Sequence, residues 1–305
     1  MNIRTLVIMT ILAAAHVSAG AQDFFHRWIT CPLAADTSQI YFRRSWTSVR
    51  RPQSAVLSVA ATGSVIIYVN ERKVTSVLLP SPQSSSTADN AVAWQFDVTR
   101  FLRPDTNTVA VWYAPTAGHR RRMIAVSVSG RRSNGTLFSH VSDDSWLCRE
   151  APGWYSSAGE GFDARYYDPS WKSATPDSTG WQLAAPVNDS KPVNIEYAGE
   201  FFKGLRKTRI YRPAAVRADS TGTVYTLPRP VKGFTRLTLR GAHKGADIHF
   251  GTFTYICSGK TDEQAFPRFT ISSGDDVTVN GSNIKKSWIQ KLEAIETTSW
   301  QNLSF

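Results

Sequence analysis

The chain has 305 residues, 42% of them hydrophobic, ten tryptophans and a formal net charge of +11. That length accommodates two domains with their own cores, and the apolar content excludes a disordered chain. A basic surface favours polyanions; without a nucleic-acid-binding motif an acidic polysaccharide is the expected polyanion and nucleic acid is not, the plainer alternative being a solvated arginine surface.

Residues 1–21 read as a secretory signal peptide, with Arg4 as the positive start, Leu6–Ala15 as the apolar run and Ala19-Gly20-Ala21 as the small-residue exit. Its removal takes away one positive charge, so 11 − 1 leaves +10. The apolar run is too short to span a bilayer and no later stretch is long enough. Cys31 lies beyond the cleavage zone, which argues against lipid attachment. The expectation is a soluble protein, secreted or periplasmic.

Trp28-Ile29 and Tyr41–Trp46 read as edge strands. Ala55–Val74 alternates with period two on either side of Thr62-Gly63, which predicts two antiparallel strands of a sandwich followed by a polar hairpin at Asn70–Lys73. Val77–Asn90 is a Ser- and Pro-rich loop. A strand over Ala91–Phe96, a short helical turn at Phe101-Leu102 and strands at Thr108–Tyr113 and Met123–Val128 follow, the last preceded by the basic run His119–Arg122, expected to be a solvated loop. Beyond Tyr197, Thr223–Val231, Gly233–Arg240, Ile248 with Phe250, then Ile271, Val277 and Val279, and finally Ile284–Ile295 continue the strand grammar. The fold class is all-β: two β-sandwich (jelly-roll-like) domains in tandem, residues 22–200 and 201–305.

The ordered set Trp28-Ile29, Phe42-Arg43-Arg44, IYVNERKV, FDVTRFL, NTVAVWY, DDSWLCREAPGW, GEGFDAR and Gly180-Trp181 resembles the N-terminal β-sandwich domains of bacterial α-L-rhamnosidases, glycoside hydrolase family 78, over about residues 26–185. The second half resembles the next β domain of those enzymes. One departure is Glu71, where the family usually has Gly; because Glu resists positive φ, a different turn type is expected. The family's catalytic part is a large α/α barrel with acidic motifs of the D-C-P-x-R-D-E type, and none occurs here. Glycoside hydrolysis of this kind needs two flanking carboxyl groups; the adjacent Asp262 and Glu263 should point opposite ways on an extended chain. The resemblance therefore implies a secreted, non-catalytic carbohydrate-binding protein, with rhamnose-containing or acidic polysaccharide as partner. Two alternatives stand beside it: a fragment or relative of a rhamnosidase, and an adaptor for another secreted enzyme.

Candidate carbohydrate contacts cluster around the GEGFDAR loop: Trp154, Tyr155 and Tyr166 as stacking rings, Glu160, Asp163 and Arg165 as hydrogen-bonding groups. The structural alternative is that Glu160 and Asp163 pair with Arg165 to hold the loop, and that Trp146, Trp154, Trp171 and Trp181 are core; Trp46, Trp94 and Trp112 are read as core. No cofactor is implied, although hard oxygens in such loops would also suit Ca²⁺. Cys31, Cys148 and Cys257 lack metal-ligand spacing and cannot all pair within one chain, leaving three buried thiols or one disulfide plus one thiol.

Overall fold

The computed structural model describes residues 27–74, 79, 89–116, 121–175, 179–188, 193–198, 204–220, 222–282 and 284–299. Residues 1–21, read above as a signal peptide, most of the Ser-rich loop and His119-Arg120 lie outside them. The chain is all-β, two sandwich domains in tandem, with short 3₁₀ turns such as Thr99–Phe101 between strands.

One sheet has seven strands, in the order Ala185–Pro186, Ile29–Thr30, Met123–Arg131, Ser54–Ala61, Asp89–Asp97 and Val193–Tyr197, with Leu137–Val141 pairing onto Met123–Arg131. The other is a fifteen-stranded sheet. It runs from the Ser64–Val69 strand through Asp105–Ala114, Ser38–Ser48 and Leu147–Ser156 to Gly159–Asp163, which pairs in parallel with Phe253–Ile256 of the second domain. That parallel seam joins the two sandwiches through one hydrogen-bonded ladder. Between the sheets of the first domain lies one apolar core around Ile29, Leu57, Ile67, Trp94, Val111 and Trp146. A second core joins Tyr41, Trp112 and Trp171 to Leu237, Ile248 and Phe250 of the second domain, so the seam is backed by packing as well as by backbone bonds.

The period-two reading of Ala55–Val74 holds, but its two strands do not pair. Ser54–Ala61 joins one sheet and Ser64–Val69 the other. Thr62-Gly63 is the corner where the chain crosses between layers: the Thr62 hydroxyl donates to the Arg121 carbonyl at 2.7 Å, and a Cβ on Gly63 would sit 2.3 Å from the Ala114 carbonyl oxygen. Alternation predicts a face, not a neighbour, so a corner and a hairpin look alike in sequence.

Tyr41–Trp46 is likewise not an edge. The Ser38–Ser48 strand lies between Leu147–Ser156 and Asp105–Ala114, with Ile40, Tyr41 and Phe42 fully buried. Trp94 and Trp112 are core, whereas Trp46 is only partly buried against it. The Asn70-Glu71 turn also departs from expectation. Glu71 has φ 68° and Asn70 φ 50°, the two left-handed residues of a type I′ hairpin. Packing keeps the turn type and forces Glu into it: the Asn70 amide donates to the Phe101 carbonyl and to Asn107 Oδ1, each at 2.8 Å. Arg122, at the end of the basic run, is not freely solvated; its guanidinium donates to the Ala34 and Ala35 carbonyls.

Candidate functional site

The Leu147–Ser156 and Gly159–Asp163 strands form a tight antiparallel pair in which Trp154 faces Gly161 and Tyr155 faces Glu160. Strand alternation then sends Trp154 and Asp163 to one face of the sheet and Tyr155, Glu160 and Phe162 to the other. The six candidate residues are therefore split between two environments. Gly161 is what lets the Trp154 ring lie flat, since a Cβ there would come within 2.0 Å of Trp154 Cε2.

On the inner face Glu160 is 2% exposed. Its Oε1 accepts the backbone N–H of Arg268 at 2.8 Å, and Oε2 accepts the N–H groups of Phe269 and Thr270 and the Thr270 hydroxyl, at 3.1, 2.9 and 2.8 Å. Burial pushes this carboxyl above its ordinary value, and those four donors partly hold it down. Glu160 thus pins the 268–270 segment of the second domain instead of pairing with Arg165. Beside it the guanidinium of Arg268 sits 3.8 Å above the Phe162 ring and within 6 Å of the rings of Trp112, Tyr167 and Phe266, a cation held by aromatic faces. Burial lowers its affinity for its proton, and Tyr41 and Glu160 oppose that.

On the outer face Asp163 and Arg165 form a forked ion pair, Nε to Oδ1 at 2.9 Å and Nη2 to Oδ2 at 2.7 Å, and Asp163 also accepts the Arg165 backbone N–H as the cap of a 3₁₀ turn. The hydrogen bonds that Arg165 donates to Asp163 raise its guanidinium above its ordinary value. Tyr166 is 71% exposed, with the Arg165 guanidinium 5.4 Å from its ring centre. Trp154 and Tyr155 are each half-buried. The structure thus holds Arg165 and Tyr166 together as a solvent-facing pair, fixes them through Asp163, and sets Glu160 and Tyr155 apart.

A Ca²⁺ site does not fit these residues. Asp163 is engaged by Arg165 and Glu160 by its four donors, and among the described residues no three His, Cys, Asp or Glu side chains converge as a metal set. Asp262 and Glu263 do point apart: Asp262 pairs with Arg240 at 2.7 Å, while buried Glu263 accepts from the Tyr255 hydroxyl and the Ser258 and Gly259 amides. The resemblance motifs hold the first sandwich together. Arg43 is buried, donates to the Trp171 and Ala174 carbonyls and has its pKa lowered to about 10 by burial and by Arg149; Arg44 pairs with Asp143 at 3.1 Å; Trp181 lies under Arg43 and Arg149. Trp146 and Trp171 are core. Sequence reading passed over Arg268, whose position between Phe266 and Phe269 was the available signal.

This architecture defines a class: a tandem β-sandwich protein whose two modules share one sheet and one packed seam. Residues 50–198 match the family model of the α-L-rhamnosidase N-terminal domain, and this segment is such a domain. No curated protein matches the chain. Among solved structures it is similar to the α-L-rhamnosidase from Dictyoglumus thermophilum, at 19% identity and TM-score 0.75 over 90% of this chain and 35% of that one. The α-L-rhamnosidase from Aspergillus terreus gives 20% and 0.74, over 90% and 36%. That from Streptomyces avermitilis, complexed with L-rhamnose, gives 18% and 0.74, over 87% and 29%. At these identities the likeness establishes a shared fold, and the chain spans about a third of each of those proteins.

Proposed function

We propose that these domains form an exported, non-catalytic carbohydrate-binding protein whose ligand is a rhamnose-containing polysaccharide. The observation that carries this reading is the Arg165–Tyr166 pair: a ring 71% exposed, backed by a guanidinium that Asp163 holds in a fork. A sugar presents C–H groups to such a ring and hydroxyls to such a donor. Trp154, half-buried on the same sheet face, extends the surface. The α-L-rhamnosidase N-terminal domain at residues 50–198 supports the assignment to carbohydrate biology.

Affinity electrophoresis in gels loaded with rhamnogalacturonan tests it. The expected result is retardation of the chain, weakened in Tyr166→Ala with an unchanged melting temperature. Equal migration with and without glycan, across several plant and microbial polysaccharides, would overturn it.

A second reading, that the same domains serve an α-L-rhamnosidase catalytic part, is favoured by the one-third coverage of the solved rhamnosidases. On either reading the 305-residue chain should not hydrolyse an aryl α-L-rhamnoside.

A further inference from the structure

At one end of the Ser38–Ser48 strand Ser38 pairs with Trp154, and at the other Ser48 pairs with Asp105. Ten residues at about 3.3 Å each separate those ends by roughly 33 Å. At the Ser48 end, the Thr47–Pro52 turn and the Arg132–Asn134 turn enclose an open cleft of about 530 Å³, within the range of small-molecule sites, about 300–1,000 Å³.

The lining includes Arg50, Arg132, Asn134 and His140, and no Asp or Glu. Phe138 is buried beneath it, and the His140 ring lies 5.8 Å from Phe138 and 4.8 Å from Trp46. Arg132 rests its guanidinium 5.4 Å over Phe138 and donates to the Leu137 carbonyl at 2.8 Å. That leaves most of its five N–H donors uncommitted. Arg50 is exposed and makes no hydrogen bond or ion pair with the described residues. Asp143, the carboxylate on the neighbouring turn, is taken by Arg44 at 3.1 Å. Burial, then Arg44 and Arg132, hold His140 below its ordinary value, so its ring is neutral at neutral pH and offers an apolar face.

Two arginines without a carboxylate, above a floor of rings, fit a ligand with one anionic group and one apolar face. A sugar acid has both: a planar carboxylate for bidentate arginine contact and C–H groups for Phe138 and His140. We propose that this cleft binds the uronate units of an acidic polysaccharide. The inference deepens the carbohydrate-binding reading, but at a second site remote from Tyr166.

Calorimetry on the full chain with trigalacturonate, a neutral trisaccharide and inorganic phosphate tests it. Trigalacturonate should bind. Arg50→Ala with Arg132→Ala should weaken it at least about tenfold, the loss of one charge-assisted contact; Arg132→Lys should retain part of the affinity, and Tyr166→Ala should leave it unchanged. Unchanged binding in the double variant, or equal affinity for the neutral trisaccharide or for phosphate, overturns the proposal. If the double variant does not fold, Arg50→Glu on the exposed loop decides: a comparable loss supports the site and no loss overturns it. Glycan retention that depends on Tyr166 but not on Arg50 and Arg132 would sink this cleft and leave the first reading standing; trigalacturonate binding without Tyr166-dependent retention would do the reverse.

Discussion

Glu160 accepts the backbone N–H of Arg268 at 2.8 Å across 108 residues of chain. With the Phe269 and Thr270 amides it makes a carboxylate-in-a-loop latch at the seam between the sandwiches. In Glu160→Gln the amide NH₂ must face backbone donors that need an acceptor. The expected loss is about 2–3 kcal/mol of unfolding free energy, measured by chemical denaturation. A loss below about 0.5 kcal/mol would show that the seam is held by packing alone.

The same residue sets a pH dependence. Its folded value is raised above the ordinary 4.5, burial being the main cause, so the folded state holds the proton more tightly than the unfolded chain. That contribution is full below 4.5 and is lost as pH rises through the raised value. Denaturation midpoints of the wild type should therefore decline over this window by an increment that Glu160→Gln lacks. Parallel profiles for the two proteins would contradict this.

Glu71 occupies a left-handed position, φ 68°, where a Cβ is disfavoured. Glu71→Gly should stabilise the protein by about 1 kcal/mol, the strain relieved less the added freedom of the unfolded chain. The readout is the denaturant midpoint at unchanged m-value. Destabilisation would mean that the Glu side chain makes a compensating contact.

Asn107 accepts from Asn70 Nδ2 and from the Arg103 amide, each at 2.8 Å, and is fully buried. Asn107→Ala leaves a buried N–H of Asn70 and the part-buried Arg103 amide without their acceptor, and a loss of about 1–3 kcal/mol is expected from their desolvation. A near-neutral effect would require water to enter the site.

The three cysteines are buried free thiols, but they are not equivalent. Cys31 and Cys148 share a side-chain hydrogen bond, which lowers the Cys31 thiol and raises that of Cys148, and the Gln182 amide donates to Cys31 Sγ at 3.2 Å. Cys257 lies in the other core, its thiol pushed up to about 12 by burial, then by Glu263. Treatment with a thiol oxidant should join Cys31 to Cys148 and leave Cys257 free, read by alkylation and peptide mass mapping. Crosslinks involving Cys257 would contradict this placement.

Period-two alternation, the β-branched runs and the turn residues sufficed for an all-β chain, for Ile248 and Phe250 on one buried face, and for the opposed Asp262 and Glu263. Local chemistry decides these, because a strand's faces follow from its own backbone. The sequence did not reveal that Thr62-Gly63 crosses between sheets, that Glu71 enters a left-handed turn, or that Glu160 turns from Arg165 to the 268–270 amides. Those outcomes depend on partners 31 to 108 residues away, and alternation carries no record of which strand lies alongside. The tertiary structure decided them, because a buried carboxylate or amide goes to whichever donors the packed chain brings within about 3 Å.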